Sequence, residues 1–310
     1  MGTQNKRLSV VVFRVLLVAA TVFLAFAVAA RVYPGLVLLV RPGLISRSPY
    51  CSRWKAVRDA RIMAGQNEEA TRIARASHVL RRDAGLVLWQ TPAGEFWVPG
   101  SDDAILPILL AQSNRRIYGG RRWGVRPGDI VLDCGAYVGT YTRWALAGGA
   151  KLVVAIEPSP DSVECLRRNL AKEIAGGKVI IYPKGVWDSE GTLPLFVNPD
   201  NTAGNSFLPG GKELPGIPVT TIDKLVRELK LPRVDFIKAD VKGATERMMR
   251  GGSDAIALYR PRLALSTEEV EDDPYRIAVL AKKIQPAYEV KCGPCLLHPG
   301  EMYTDVMFFR

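Results

Sequence analysis

An α/β fold built on a mostly parallel sheet, preceded by an N-terminal transmembrane helix, is predicted by three features of this 310-residue chain. Gly128 to Pro160 joins an apolar strand to a glycine-rich turn, a helix and a second strand that ends in an acid. From Gly128 to Arg310, strand patterns alternate with helix patterns, as in a parallel sheet covered by helices on both faces. Near the start, Val15 to Ala30 carries no charge at all.

Extended back to Leu8, that uncharged stretch becomes about 23 residues interrupted only by Arg14, enough to cross a bilayer. A membrane anchor is the expected reading. Its rival is a cleaved signal peptide, because Lys6 and Arg7 precede the apolar core and Ala27-Val28-Ala29 resembles a small-residue cleavage site. The core is longer than a usual signal core, which favours the anchor. Arg31, Arg41, Arg47, Arg53, Lys55, Arg58 and Arg61 follow the span, against Lys6, Arg7 and Arg14 at or before its start. The excess places the rest of the chain on the cytoplasmic side, as a single-pass membrane protein. A second apolar patch, Leu36 to Val40, follows Pro34-Gly35 and is too short to cross.

The formal charge of +11 is unevenly spread. Up to residue 90 there are 14 Lys and Arg against four acids (Asp59, Glu68, Glu69, Asp83), leaving 28 cations and 27 acids beyond it. Basicity confined to a membrane-proximal segment implies attraction to anionic lipid and excludes a nucleic-acid-binding reading of the whole chain. Residues 52 to 83 interleave Trp54, Val57, Ile62, Met63, Ile73, Val79 and Leu80 with arginines, which predicts one or two amphipathic helices. Trp89 to Pro99 reads as a hairpin turning at Pro92 and Gly94, expected to form a lid or a substrate wall, and Tyr118 is a candidate for lining the same pocket.

Ile130, Val131 and Leu132 form the continuous apolar run of a strand buried on both faces. Asp133, Gly135, Ala136, Tyr137 and Gly139 occupy the turn that follows, where glycines permit tight curvature and close approach of a ligand to a helix N-terminus. Val153 to Ile156 form the next strand, and Glu157, followed by Pro158, stands at its tip about 20 residues on, where an acid accepts from ribose hydroxyls. The pattern is a nucleotide-type cofactor site. It is not the dinucleotide fingerprint, because the spacing is G-x-x-x-G preceded by Asp133.

The segments VLDCGAYVGTYT, AIEPSP with CLRRNLA, PKGVWDSEGTLPLF and IPVTTIDKLVRELKLPRVDFIKADVKGA run in order from Gly128 to Gly252. Together they resemble the FkbM-type methyltransferases. The resemblance implies a class I methyltransferase (Rossmann-like) fold closed by a C-terminal antiparallel hairpin, which matches Tyr288 to Lys291 and Asp305 to Phe309. It implies S-adenosylmethionine as cofactor, with Asp133, Gly135 and Gly139 around its methionine portion, Glu157 on its ribose, and Trp187 and Asp188 near its adenine. The chain departs from the pattern where the family resembles D-x-E-G-x-E. Here Asp240-Val241-Lys242-Gly243-Ala244-Thr245 replaces both glutamates, which puts carboxylate-based chemistry in question.

Asp240 follows an apolar strand and should face the cleft at the carboxyl edge of the sheet, as the first candidate for a base or substrate-positioning acid. Lys238 and Lys242 alternate with it and should share its face, keeping it ionised. Glu268, with Glu269, follows Leu263-Ala264-Leu265 and is the second catalytic candidate, although its acidic run to Asp273 also reads as a solvated loop. The five cysteines, at 51, 134, 165, 292 and 295, are an odd number and fit a reducing compartment. Cys292-Gly293-Pro294-Cys295 reads as a turn with buried thiols. A redox motif would open a helix, and a metal site would lack ligands beyond His298, so no metal is expected.

The chain therefore divides into an anchor (1–40), a basic juxtamembrane helical segment (41–88), a hairpin and helix (89–127) and a methyltransferase domain (128–310). The expected activity is O-methylation of a sugar, glycolipid or polyketide-like acceptor at the cytoplasmic membrane face, where the cofactor is made. The alternative is a weakened, methyltransferase-like protein that binds cofactor or lipid.

Overall fold

A computed structural model describes residues 2–32, 36, 45–46, 48–100, 105–120, 122–198, 201–267, 269, 274–298 and 301–310. Glu268 and the patch from 37 to 40 lie outside these residues. Helix α1 (Gly2–Val32) contains a candidate membrane span, Val12–Arg31, of which nothing is buried against the rest of the chain. Its exposed Leu16, Phe23 and Leu24 need an apolar phase, which both a span and a signal sequence would find in a membrane.

Strand β1 (Ile45–Ser46) leads to α2 (Arg53–Arg75), which starts where the Ser52 hydroxyl accepts from Lys55 N at 3.1 Å. Helix α2 ends at Arg75, and His78–Asp83 forms a strand, β2, where a helix was expected. All six residues of β2 are exposed, so they have no apolar face to specify a period; pairing with the neighbouring strand decides their conformation. Strands β3 (Leu86–Thr91) and β4 (Gly94–Pro99) form the expected hairpin around Pro92-Ala93 and complete a β2-β3-β4 sheet.

After α3 (Ile105–Asn114) the main domain runs β5 (Ile130–Cys134), α4 (Thr140–Ala147), β6 (Leu152–Ile156), α5 (Pro160–Asn169), α6 (Ala171–Ala175) and β7 (Val179–Tyr182). It continues with β8 (Gly185–Val186), β9 (Gly191–Val197), β10 (Lys212–Thr220), α7 (Ile222–Glu228), β11 (Phe236–Ala239), α8 (Thr245–Gly251), α9 (Ser253–Tyr259) and β12 (Arg262–Ser266). Helix α10 (Pro274–Ile284) and strands β13 (Val290–Cys292), β14 (Cys295–His298), β15 (Glu301–Thr304) and β16 (Val306–Phe309) close it.

The central sheet has the order β13-β16-β12-β11-β5-β6-β7. Its five strands from β12 to β7 are parallel, and β16 runs antiparallel to both β12 and β13. This is the class I methyltransferase-like arrangement, with the antiparallel C-terminal pair where it was expected. Every residue of β5, β11 and β12 is buried, as the continuous apolar runs require of strands covered on both faces. The chain order reverses between β5 and β11, so the crevice for a ligand opens above their carboxyl ends.

The β2-β3-β4 sheet packs on this domain through an apolar cluster that joins Phe96, Trp97 and Val98 to Val138 and Cys165, and through polar contacts of Asn169, Arg143 and Arg168. Asn169, at the end of α5, accepts from Trp97 N at 2.7 Å and donates to Trp97 O and Val138 O, both at 2.9 Å. Arg143 lies 3.9 Å from the Phe96 ring centroid and donates to Glu95 O and Asn169 O, both at 2.7 Å. The hairpin is thus packed against α5.

Cys295 is not the buried thiol expected of it. It forms a disulfide with Cys51 across 244 residues of sequence. Local spacing could not show this, because Cys51 stands just before α2, whose Asp59 accepts from Cys295 N at 3.1 Å and pairs with Lys55. Cys134 and Cys292 carry free thiols; burial pushes the Cys292 thiol up to about 11, against the opposing charge of Lys55.

Replacing Asn169 with Ala removes three hydrogen bonds to buried backbone groups, at about 1 kcal/mol each. The expected loss is about 3 kcal/mol of stability, checked by urea unfolding followed by tryptophan fluorescence.

Candidate functional site

The glycine turn closes over the tips of β5 and β6 by spending its backbone donors on the protein. Gly135 N and Ala136 N both donate to Ile156 O at 3.0 Å, and Tyr137 N donates to the Glu157 carboxylate at 2.9 Å. Gly135 has φ +74, and a Cβ there would collide with the carbonyl oxygen of Asp240. Glycine is therefore required for close packing of two backbone segments, and the turn does not offer the phosphate cradle of a dinucleotide site. Gly139, at φ +89, starts α4 against Leu166 and Leu170.

Beneath the turn, Asp133 is fully buried. It pairs with Lys238 Nζ at 3.1 Å and accepts from the Thr142 hydroxyl at 2.7 Å. Lys238, itself buried, donates to Gly135 O at 2.7 Å. Asp133 and Lys238 thus hold the turn in shape from below.

Glu157 carries the site's clearest electrostatic signature. Its carboxylate is buried, accepts from Tyr137 N and from Ser159 N at 3.0 Å, and faces the cleft. Burial pushes its pKa up to about 7, against the lowering effect of those two N–H groups and of Lys238. Each carboxylate oxygen takes one backbone donor and keeps acceptor capacity for a ligand hydroxyl.

The cleft holds about 870 Å³, its mouth included. Gly135, Ala136, Tyr137, Glu157 and Pro158 line it together with Lys238, Asp240, Val241 and Lys242. Asp240 Oδ1 pairs with Lys242 Nζ at 2.7 Å, and Oδ2 accepts from the Tyr118 hydroxyl at 3.0 Å. Burial alone would raise the Asp240 pKa, but the charges of Lys242 and Lys238 and the hydrogen bonds from Lys242 and Tyr118 outweigh it and hold the acid at about 2. The acid and its lysines do converge, as their alternation suggested, and Tyr118 joins them.

Other candidates fall elsewhere. Trp187 is absent from the cleft lining; it packs edge-on against Phe207, which does line the cleft, and under Arg247. Asp188 pairs with Arg247 at 2.7 Å, also away from the lining. Thr245 turns its buried hydroxyl to Ser266 O at 3.2 Å. The hairpin is not the wall of the cleft: Asn169 and Arg143 hold it against α5, and α3 supplies Leu109, Gln112 and Ser113 in its place. Lys184 and the loop from Thr202 to Phe207 complete the lining. These residues were missed because α3 reads from sequence only as a short apolar helix and the loop has no periodic pattern.

The donor set fits S-adenosylmethionine. That molecule has no phosphate and so needs no N–H cradle, while its ribose hydroxyls suit a buried carboxylate with acceptor capacity. Glu157 also sets a pH dependence. Its folded pKa lies above the ordinary 4.5, so the unfolded chain gives up this proton first and the unliganded fold loses stability as pH rises from 4.5 to about 7. The melting temperature of wild type relative to Glu157→Ala should therefore fall as pH rises from about 4.5 to about 7 and stay level above that.

The family model of the FkbM methyltransferase domain matches residues 133–290, just over half of the chain. The chain is 26% identical over 128 residues to the hexuronic acid methyltransferase AglP of Haloferax volcanii, covering 41% of this chain and 52% of that protein. It is 26% identical over 180 residues to the 31-O-demethyl-FK506 methyltransferase FkbM of Streptomyces tacrolimicus, covering 48% and 67%. The chain thus spans about half the length of the first of these relatives. A solved FkbM methyltransferase from Methylobacillus flagellatus aligns over 82% of this chain and 60% of its own, with a TM-score of 0.46 and 15% identity. By the family match and the site geometry together, the chain belongs to the FkbM methyltransferase family, the cofactor of which is S-adenosylmethionine.

Proposed function

We propose that the protein is a membrane-anchored methyltransferase that transfers a methyl group from S-adenosylmethionine to an oxygen of a sugar, glycolipid or polyketide-like acceptor. The observation that carries this reading is the pairing, across one cleft, of the buried Glu157 carboxylate with the Tyr118–Asp240–Lys242 cluster. The similarity to proteins named for a hexuronic acid and for a demethylated polyketide supports both acceptor classes.

The bound cofactor supplies an electrophilic methyl group on a sulfonium. Glu157 accepts from its ribose hydroxyls, with Gly135, Ala136, Tyr137 and Pro158 as neighbouring walls, and Asp133 and Lys238 keep that wall in shape from below. Trp187 acts behind Phe207 and Asp188 behind Arg247, as supports of the cleft's rim. Asp240 orients the acceptor, because the main demand of this displacement is to hold nucleophile and methyl carbon in line. Glu268 has no role in this reading.

The division into anchor, juxtamembrane segment, hairpin-helix unit and methyltransferase domain goes with it, except that β2 belongs with the hairpin sheet. Exposed Trp54 and Ile62 on the arginine-rich α2 support contact with anionic lipid beside the span. The charge excess after α1 supports a cytoplasmic catalytic domain. The Cys51–Cys295 disulfide weighs the other way, since disulfides persist in oxidising compartments. Maleimide labelling of intact cells, with and without prior reduction, decides between the two sides.

Radiolabelled S-adenosylmethionine incubated with the full chain and a membrane extract should leave label in the acceptor fraction; cofactor binding without any label would favour the non-catalytic alternative. Glu157→Ala should weaken cofactor binding about 100-fold through the loss of two charge-assisted hydrogen bonds, read by calorimetry. Wild-type affinity should rise with pH through about 7, where the carboxylate ionises. Asp240→Asn should lower turnover at least about 10-fold and leave the cofactor Kd unchanged.

A further inference from the structure

The loop between β9 and β10 gives Thr202, Ala203, Asn205, Ser206 and Phe207 to the lining of the cleft that holds Glu157. None of residues 201–208 is fully buried, so the loop draws little stability from the core. It is tied to β9 instead. Ser206 N donates to Phe196 O at 3.0 Å and Phe196 N donates to Ser206 O at 2.7 Å, while Asn198 N donates to the Asn205 side-chain oxygen at 3.1 Å. The amide nitrogen of that Asn205 side chain is buried and has no hydrogen-bond partner among the described residues. A buried donor of this kind in a cleft lining is satisfied when a ligand with an acceptor atom enters.

Two neighbouring residues of the loop touch segments on opposite flanks of the central strands. The Phe207 ring lies so close to Gly185, just beyond β7, that a Cβ there would collide with it. The Ser206 hydroxyl donates to Lys242 O at 2.8 Å, two residues past Asp240 and beyond β11. In the sheet order β11-β5-β6-β7, the tips of β5 and β6, with the glycine turn and Glu157, lie between those two points. A cofactor held by Glu157 therefore meets this loop inside the same cleft. Lys242 has φ 42 and Gly243 has φ 84. A residue with a side chain keeps the left-handed conformation only where its surroundings hold it, and the Ser206 hydroxyl is one such hold. The same turn carries Lys242 to its ion pair with Asp240 at 2.7 Å.

We propose that Ser206 is a positioning residue that couples the two ligand sites: cofactor contact with Asn205 and Phe207 fixes the loop, and the Ser206 hydroxyl passes that order to the turn at Lys242 and so to Asp240. This rests on the methyltransferase reading above, with the cofactor at Glu157 and the acceptor at Asp240. The core need not move. One loop touches both the cofactor and the turn, so ordering it for the first removes the cost of ordering it for the second. The cofactor then binds ahead of the acceptor, whose site is complete only beneath an ordered loop.

The test uses the full chain in detergent, S-adenosylhomocysteine as the probe, and hydrogen–deuterium exchange read by mass spectrometry. In the wild type the probe should slow exchange about 10-fold both in 202–208 and in 241–245. In Ser206→Ala the slowing at 241–245 should disappear, while that at 202–208 is kept and the probe's Kd changes by less than about 3-fold. Ser206→Thr, which keeps a hydroxyl, should restore it. A merely structural role would alter exchange in 241–245 equally with and without the probe and leave the ratio intact. Equal slowing at 241–245 in wild type and Ser206→Ala, or none in the wild type, overturns the proposal. A larger loss of probe affinity in Ser206→Ala overturns it too, by placing the hydroxyl in the cofactor site alone. With methyl-labelled S-adenosylmethionine and a membrane extract, Ser206→Ala should lower turnover about 10-fold at an unchanged cofactor KM. A wild type that shows the exchange coupling and labels nothing would overturn the methyltransferase reading and uphold the coupling.

Discussion

The buried ion pair between Asp133 and Lys238 is the constraint on which the site depends. It joins the two central strands at the point where the chain order reverses, with Lys238 directly opposite Asp133 in the parallel register. Burying two charges costs several kcal/mol per ion, and the pair is tolerable because the Thr142 hydroxyl and the Gly135 carbonyl satisfy remaining atoms. Removing either partner would strand a charge under the turn. Its geometric consequence reaches both walls of the cleft: the Lys238 ammonium grips the carbonyl of Gly135, whose α-carbon packs against the Asp240 carbonyl, and Asp240 N donates to Cys134 O at 3.0 Å. The glycine turn and the carboxyl end of β11 are therefore linked through their backbones.

Above this link the two acids of the cleft are driven apart in character. Glu157 and Asp240 line the same cavity, yet one titrates near 7 and the other near 2. Desolvation is the leading influence on both. Neutral backbone donors and the charge of Lys238 only partly offset it at Glu157, whereas two lysine charges and two hydrogen bonds more than offset it at Asp240. Environments that separate two titratable groups in this way assign them different work. One keeps its backbone donors and spare acceptor capacity, and the other is committed to Lys242 and Tyr118.

The periphery is attached by apolar packing and by specific polar contacts. Asn169 and Arg143 hold the three-stranded sheet through backbone atoms of β4, and the buried Phe96, Trp97 and Val98 side chains add an apolar contact with Val138 and Cys165. Where α2 meets β14, Asp59 carries the polar link, accepting from Cys295 N and from Lys55, whose ammonium also donates to Gly293 O. The Cys51–Cys295 disulfide makes the link covalent, so the segment that follows the candidate span is tied to the last strands of the catalytic fold.

Local pattern determined the elements whose burial is dictated by their own residues. Ile130 to Leu132 and Val153 to Ile156 had to be covered strands, Asp133 to Gly139 had to turn sharply, and the acid at Glu157 had to stand at a strand tip. The apolar stretch of the N-terminal helix and the Pro92-Ala93 hairpin follow from the same reasoning, since periodicity and turn chemistry are properties of neighbours in sequence. What only the tertiary structure decided involves partners far apart in the chain. His78–Asp83 became a strand because β3 was there to pair with it, and Cys295 found Cys51 because α2 packs on β14. Lys238 turned to Asp133 while Lys242 turned to Asp240, although both lysines alternate with Asp240 in the same way. The physical reason is that spacing places side chains on a face, whereas the charge and hydrogen-bonding partners that settle their chemistry come from other strands, helices and loops.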